Sequence, residues 1–294
     1  MDRTPIFAAL TAIGLAACSH APRIVVGSKN FTEQVVLGEI LAQQIERTLH
    51  VAVDRKLDLG GTLVAHQALV QGDIDLYPEY TGTALTAVLK QPPPKEGGDS
   101  AAVFQTVSEA YLRRWRLVWL RPMGFDDTFA MIVRGDTARA EHLATLSGAA
   151  RAHPWRLGVG YEFRQRPDGL DGLLRTYNLR PEGDPVTMDL GLLYAALASR
   201  KVDLIAANST DGLASAMDVT VLRDDRHYFP PYQCAVVVRQ PTLARYPRMR
   251  GALEGLSGKL SDAAVRRLNY QVDGRHRPAA DVAAEFLQTL AQGK

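Results

Sequence analysis

Cysteine is nearly absent: two in 294 residues, Cys18 and Cys234, so no disulfide framework can staple this chain. There is no CxxC, no HExxH and no histidine cluster at ligand spacing among the seven His, which leaves neither a structural nor a catalytic zinc site. A surplus of one charge is also missing. Thirty-four Lys and Arg against 32 Asp and Glu give a net charge of +2, too even for the field that gathers nucleic acid or anionic lipid. No window reaches the roughly 18 to 20 consecutive apolar residues of a transmembrane helix. No repeat of 20 to 50 residues and no low-complexity tract interrupts the chain. What remains, 46% hydrophobic and 22% charged, is an ordinary globular composition, long enough for one large domain or two lobes.

The one apolar stretch, Ile6 to Ala17, follows Arg3 and has the length of a signal-peptide core. It ends in Leu15-Ala16-Ala17-Cys18, which resembles a bacterial lipobox. The expectation is a signal peptide over residues 1–17, cleavage before Cys18, and lipidation of that thiol, with an ordinary secretory signal as the alternative. Cys234, in Tyr232-Gln233-Cys234-Ala235-Val236-Val237-Val238, reads as a small buried hydrophobe on a strand.

Strand and helix periods alternate along the chain. A β-branched run at Arg23–Ser28 leads into apolar spacing of helical period over Thr32–Leu49, with Thr32 or Asn30 as the cap. Val51–Leu59 reads as a strand, Gly60-Gly61-Thr62 opens a second helix, and Ile74–Tyr77 is the next strand. Gln91-Pro92-Pro93-Pro94 and the glycines after it demand a surface loop. Helix follows over Ala101–Arg114 and strand over Leu117–Leu120. A second series contains strands at Phe129–Val133, Arg156–Val159 and Val202–Ala207, with helices at Glu141–Leu146, Gly169–Tyr177 and Leu190–Ala198. From Tyr232 onward one strand precedes mostly helices. This alternation predicts an α/β fold with parallel strands.

Two blocks, Val26-Gly27-Ser28-Lys29-Asn30-Phe31-Thr32-Glu33-Gln34 and Asp73-Ile74-Asp75-Leu76-Tyr77-Pro78-Glu79-Tyr80-Thr81-Gly82-Thr83, resemble the OpuAC-like glycine betaine/carnitine/choline-binding proteins of osmoprotectant ABC importers. The likeness continues, in the family's order, through Gly124–Phe129, Arg166-Pro167-Asp168-Gly169, Ser209-Thr210-Asp211-Gly212 and Asp224–Tyr232. It implies a two-lobed periplasmic-binding-protein fold of type II, with two α/β lobes, two crossover segments and the ligand in the cleft between them. Lobe I then takes residues 22–125 plus 230–294, and lobe II takes 126–229. Closure about the hinge is the signal an importer reads.

A quaternary ammonium cannot donate a hydrogen bond, so aromatic faces must hold it. Carried over by motif, the resemblance puts Tyr80, Phe129, Asn208 and Tyr232 at the aromatic-box positions, with an amide at one of the four. It puts Asp127 where a residue touches the cationic head. For a ligand carboxylate, Arg166 offers paired planar donors, Lys29 a point charge, and Thr83 a hydroxyl. Read without the motif, each has a plainer role: turn-packing tyrosines, a core Phe129, solvated Arg166 and Lys29. The amide of Asn208 suits a betaine with a polar arm, such as ergothioneine or carnitine, and equally suits weaker binding of a plain betaine.

An enzyme reading would start from Asp73, Asp75 and Glu79. Strand alternation points Asp73 and Asp75 to one face, but Tyr77-Pro78 breaks any regular relation to Glu79, and no G-x-S-x-G, P-loop or G-x-G-x-x-G follows a strand. The expectation is therefore a periplasmic or cell-surface solute-binding protein, without catalysis or cofactor and without nucleic acid. It would be monomeric, tethered by lipid alone, and served by separate ABC permease subunits. A sensory lipoprotein built from the same lobes is the other class the sequence allows.

Overall fold

A computed structural model describes residues 23–94 and 98–293, so the expected signal peptide and Cys18 lie outside the described residues. The first stretch runs β1 (Ile24–Gly27), α1 (Thr32–Leu49), β2 (Val53–Lys56), α2 (Thr62–Gln71), β3 (Leu76–Tyr80) and α3 (Thr81–Thr83). A π-helical turn over Ala84–Val88 extends α3, and α4 (Ser100–Trp115) and β4 (Leu117–Trp119) follow. Next come β5 (Phe129–Arg134), α5 (Gly135–Ala140), α6 (Leu146–Ala152), β6 (Leu157–Val159), α7 (Tyr161–Gln165), α8 (Leu170–Tyr177) and β7 (Val186–Thr187). A short 3-10 turn at Leu190–Leu192 feeds α9 (Leu193–Ala198), then β8 (Leu204–Asn208), α10 (Leu213–Ala216) and β9 (Val219–Leu222). The chain closes with β10 (Cys234–Arg239), α11 (Gln240–Arg245), α12 (Arg248–Glu254), α13 (Asp262–Asp273) and α14 (Ala279–Gln292).

These strands make two five-stranded sheets, ordered β2-β1-β3-β10-β4 and β7-β6-β8-β5-β9. The expected parallel pairing holds for β2-β1-β3 and for β7-β6-β8. Both sheets are nonetheless mixed. β5 and β10, the strands that follow the two passages between sheets, enter antiparallel to β8 and β3. A strand arriving from the other sheet comes in at the cleft end, the end where the parallel strands finish, and so must run back the other way.

Local chemistry explains the remaining departures from the sequence pattern. The helix expected over Glu141–Leu146 is instead the link between two helices, α5 and α6. His142 takes a left-handed φ of 53° after α5, and the Thr145 hydroxyl caps α6 by accepting the Gly148 N–H. β2 stops at Lys56 because Asp58 and Gly60 turn the chain with φ of 61° and 130°. Neither Thr32 nor Asn30 caps α1: Phe31 occupies the cap position without a side-chain bond, and the Thr32 hydroxyl donates to Asp273 Oδ1 at 2.6 Å. Pro78 is tolerated in β3 because pairing with β1 ends at Val26–Leu76, leaving no ladder bond on that side for the missing N–H.

α1 buries Val36, Leu37, Ile40, Leu41 and Ile45, each worth about 1.5–3 kcal/mol of apolar transfer, against α12, α13 and α14. On the opposite face of the first sheet, α2 and α4 cover Tyr77, Trp119 and Val237. α9 covers Ile132 and Ile205 of the second sheet. Cys234 is fully buried, with its Sγ 3.9 Å from Met123 Sδ. Among the described residues, no helix is long and apolar enough to cross a membrane.

Candidate functional site

Strand ends deliver the site. β1 ends just before Ser28 and Lys29, β3 ends in Glu79 and Tyr80, β5 begins at Phe129, and β8 ends at Asn208. Chain crossings add Asp127 and Tyr232, and α7 leads to Arg166. A cavity of about 770 Å³ opens where these ends meet, as expected beyond the carboxyl ends of parallel strands. Lys29, Tyr80, Thr83, Asp127, Phe129, Arg166, Asn208 and Tyr232 all line it.

Its cations are not free. Lys29, 2% exposed, places Nζ 2.6 Å from Glu79 Oε1 and 4.6 Å from the centre of the Tyr80 ring. Glu79 also accepts from the Tyr77 hydroxyl and the Tyr80 N–H. Arg166 donates from Nε and Nη2 to both oxygens of Asp168, at 2.9 and 2.5 Å, and from Nη1 to the Thr83 hydroxyl at 3.0 Å. Burial works against the Asp168 carboxylate, but the Arg166 charge and a bond from the Tyr232 hydroxyl outweigh it and hold its pKa below the usual range. The guanidinium carbon stands 5.0 Å from the Phe129 ring centre and 5.7 Å from that of Tyr232. Cations and rings are thus interleaved in one cavity. Among the described residues Lys29 and Arg166 are the only basic side chains lining the cavity.

One wall is acidic. Glu33 and Asp127 are buried, and both contact the Thr210 hydroxyl. Burial pushes both carboxyls up, Asp127 further through the Glu33 charge, while bonds from Thr210, Tyr80 and Asn269 partly restrain Glu33. Asp211 accepts from the Asn208 N–H and the Tyr194 hydroxyl, and burial raises it to about 7. Asn208 faces Phe129 across the β5–β8 pair, and its side-chain amide makes no hydrogen bond among the described residues. No group of three or more His, Cys, Asp or Glu among the described residues is arranged to hold a metal ion.

Sequence reading missed Glu33, Asp211, Asp168 and the rings of Phe31, Phe163 and Tyr194. Phe31 and Glu33 stand inside the first family-like block, and Asp168 and Asp211 inside later ones, so the blocks held a signal. Phe163 had none, since an apolar residue in a short helix looks like core. It is core as well, with its ring centre 4.8 Å from that of Phe129.

Two mixed α/β sheets with a polar and aromatic cavity between them define a two-lobed binding protein of the type II periplasmic class. The chain belongs to the OpuAC family, the substrate-binding domain of ABC-type glycine betaine transport systems, which matches residues 22–289. A glycine-betaine-binding protein of Pseudomonas aeruginosa PAO1 is 34% identical over 293 residues, covering 96% of this chain and 91% of that protein. An ergothioneine transport permease/ergothioneine binding protein, EgtU, of Helicobacter pylori G27 is 33% identical over 269 residues. That match covers 91% of this chain, which spans only 47% of EgtU. The crystal structure of a glycine betaine/carnitine/choline ABC transporter protein superposes with a TM-score of 0.76 at 31% identity, covering 90% of this chain and 98% of that one. These similar proteins bind and transport solutes; the family is one of substrate binding and not of catalysis.

Proposed function

We propose that this chain is the extracytoplasmic receptor of an ABC importer for a quaternary-ammonium zwitterion of the glycine betaine kind. Lys29, Tyr80, Thr83, Asp127, Phe129, Arg166, Asn208 and Tyr232 serve as its contact residues. The supporting observation is the convergence of these eight residues, drawn from both sheets and both crossings, on a single cavity whose size suits a small solute. The rings of Tyr80, Phe129 and Tyr232 offer π faces worth about 0.5–2 kcal/mol each to a desolvated cation. Within the acidic wall an ionised Glu33 adds attraction for the head, and the donors that Arg166 and Lys29 have left serve the ligand carboxylate. The lobes divide at residues 125/126 and 229/230, Cys18 bears the lipid anchor, and the protein works as a monomer with separate permease subunits.

A second reading, a betaine with a hydrogen-bonding arm such as ergothioneine or carnitine, is favoured by the unbonded amide of Asn208 in the cavity wall. Calorimetric titration of the chain from Ser19 with glycine betaine, choline, carnitine, proline and ergothioneine tests both. Binding of a quaternary ammonium supports the first reading, and a clear preference for carnitine or ergothioneine supports the second. No binding across the panel overturns both.

A further inference from the structure

Thr210 has one hydroxyl proton and two carboxyl neighbours. Its Oγ1 lies 2.5 Å from Glu33 Oε2 and 2.7 Å from Asp127 Oδ1, and all three side chains are buried. A hydroxyl donates one hydrogen bond and accepts others. If it donates to one carboxylate, the second short contact needs a proton from the carboxyl side. Two ionised carboxyls set against one buried hydroxyl would also repel at close range, which is why such pairs retain a proton.

The surroundings say which group is ionised. The Tyr80 hydroxyl accepts from Gln34 Nε2 at 3.0 Å, so its own proton points to Glu33 Oε1 at 2.5 Å. Asn269 Nδ2 donates to Glu33 Oε2 at 3.2 Å. Glu33 therefore collects donors before Thr210 is counted, as an ionised carboxylate should. Asp127 Oδ1 has a single other donor, the Thr210 N–H at 3.3 Å. The proton order that satisfies every contact runs from Asp127 Oδ1–H to Thr210 Oγ1, and from Thr210 Oγ1–H to Glu33 Oε2.

We propose that Asp127, Thr210 and Glu33 form a proton-binding site that exists only when the lobes are closed, so that capture of the solute takes up a proton. This rests on the solute-receptor reading above. Glu33 belongs to α1 on the first sheet, Thr210 follows β8 of the second, and Asp127 lies on the crossing between them. Opening parts Glu33 from Thr210 and wets Asp127, which then ionises like any exposed aspartate.

Apart from Lys29, no neighbouring positive charge of the protein favours ionising both carboxyls. On the first-sheet side the groups facing the pair are Lys29, held by Glu79, and the neutral Tyr80 and Cys234. The second sheet contributes Asp211, bonded to Tyr194, and α13 contributes Asp273, which accepts from the Thr32 hydroxyl. Burial and the Glu33 charge both favour the protonated form of Asp127, in the same direction as the hydrogen-bond count.

The sign follows. A carboxyl protonated in the closed state and ionised in the open one favours closure at low pH. That advantage is lost as pH rises, at about tenfold in affinity per pH unit until the closed-state carboxyl itself ionises. Calorimetry of the intact chain with glycine betaine, carnitine, choline and ergothioneine, at about pH 7.5 in two buffers of different ionisation enthalpy, counts protons per ligand bound. Uptake approaching one proton, removed by Asp127→Asn, supports the site; a count of zero, or one unchanged in Asp127→Asn, overturns it. If none of the four ligands binds, the receptor reading has failed; in that case, or where Asp127→Asn loses binding, infrared spectroscopy at about pH 8 of a Thr62→Cys/Glu162→Cys disulfide variant, whose lobes are tied closed, decides the proton site separately. A protonated-carboxyl C=O band that Asp127→Asn removes supports it, and no such band overturns it.

Discussion

Arg166 shows how one side chain can organise a cleft. Its guanidinium satisfies the buried Asp168, holds the Thr83 hydroxyl and lies against the Phe129 and Tyr232 rings. Removing it strands Asp168, which has no exposure to water, as an unpaired buried charge. Arg166→Ala should therefore cost about 3–5 kcal/mol of folding stability in urea titrations, beyond any effect on binding. Arg166→Lys should recover only part of this, because a point charge cannot make two parallel bonds and lie flat on a ring. A surface arginine would cost almost nothing in the same assay. Asn208 is the contrasting case, a polar side chain paired opposite Phe129 at one of the proposed contact positions. Asn208→Tyr adds one π face, and a gain of about 0.5–2 kcal/mol predicts roughly 2- to 30-fold tighter glycine betaine by calorimetry. Ergothioneine, if it uses the amide, should weaken in the same variant.

At the scale of elements, a helix from one sheet is capped by a residue from the other. Glu162 on α7 accepts from the Thr62 backbone N–H, and the Thr62 hydroxyl donates to its Oε2 at 2.9 Å, where α2 has no cap of its own. A carboxylate there answers unsatisfied N–H groups and the positive end of the helix. The bond bridges the cleft, so it acts as a latch on closure. Glu162→Ala should remove about 1–2 kcal/mol from the closed form and speed ligand release roughly 5- to 30-fold in stopped-flow dissociation, with little change in association. The latch was not legible in the sequence, because caps are sought within a few residues of the helix start and this one comes from a hundred residues away. The same limit governs the rest. α1 and β10 were readable because their apolar periods span many residues, whereas the two-residue β7 offers no period at all. Tyr80, Phe129 and Tyr232 were named from the blocks that hold them, but the partners that neutralise Lys29 and Arg166 depend on tertiary contacts.

Across the whole molecule the buried carboxyls set a pH dependence that reports on whether the cleft is closed. Burial raises Asp126 to about 6, with the Tyr232 N–H restraining it and Asp262 adding to the rise, and raises Asp211 to about 7. A folded-state pKa above the unfolded one means the native chain holds a proton that the unfolded chain releases. Stability from these two groups is therefore full below about pH 4 and is lost as pH rises through about 6 and then 7. Asp168 and Asp203 act in the opposite sense at the acid end. Their pKa values are depressed because their arginine partners outweigh burial, so their contribution is lost as pH falls below the usual aspartate range. Together these predict that the closed, ligand-bound chain is most stable near pH 4, with urea midpoints that fall from there to about pH 7. Asp211→Asn, which keeps an oxygen for the Asn208 N–H and the Tyr194 hydroxyl, should flatten the upper part of that fall. Asp211 lines the cleft and Asp126 sits on a crossing between the sheets, so their burial belongs to the closed arrangement. Midpoints of the ligand-free chain that stay flat over the same window would mean that both carboxyls are solvated there and that it rests open. Adding a ligand that binds should then convert the flat curve into a falling one, measuring closure through the protons it traps.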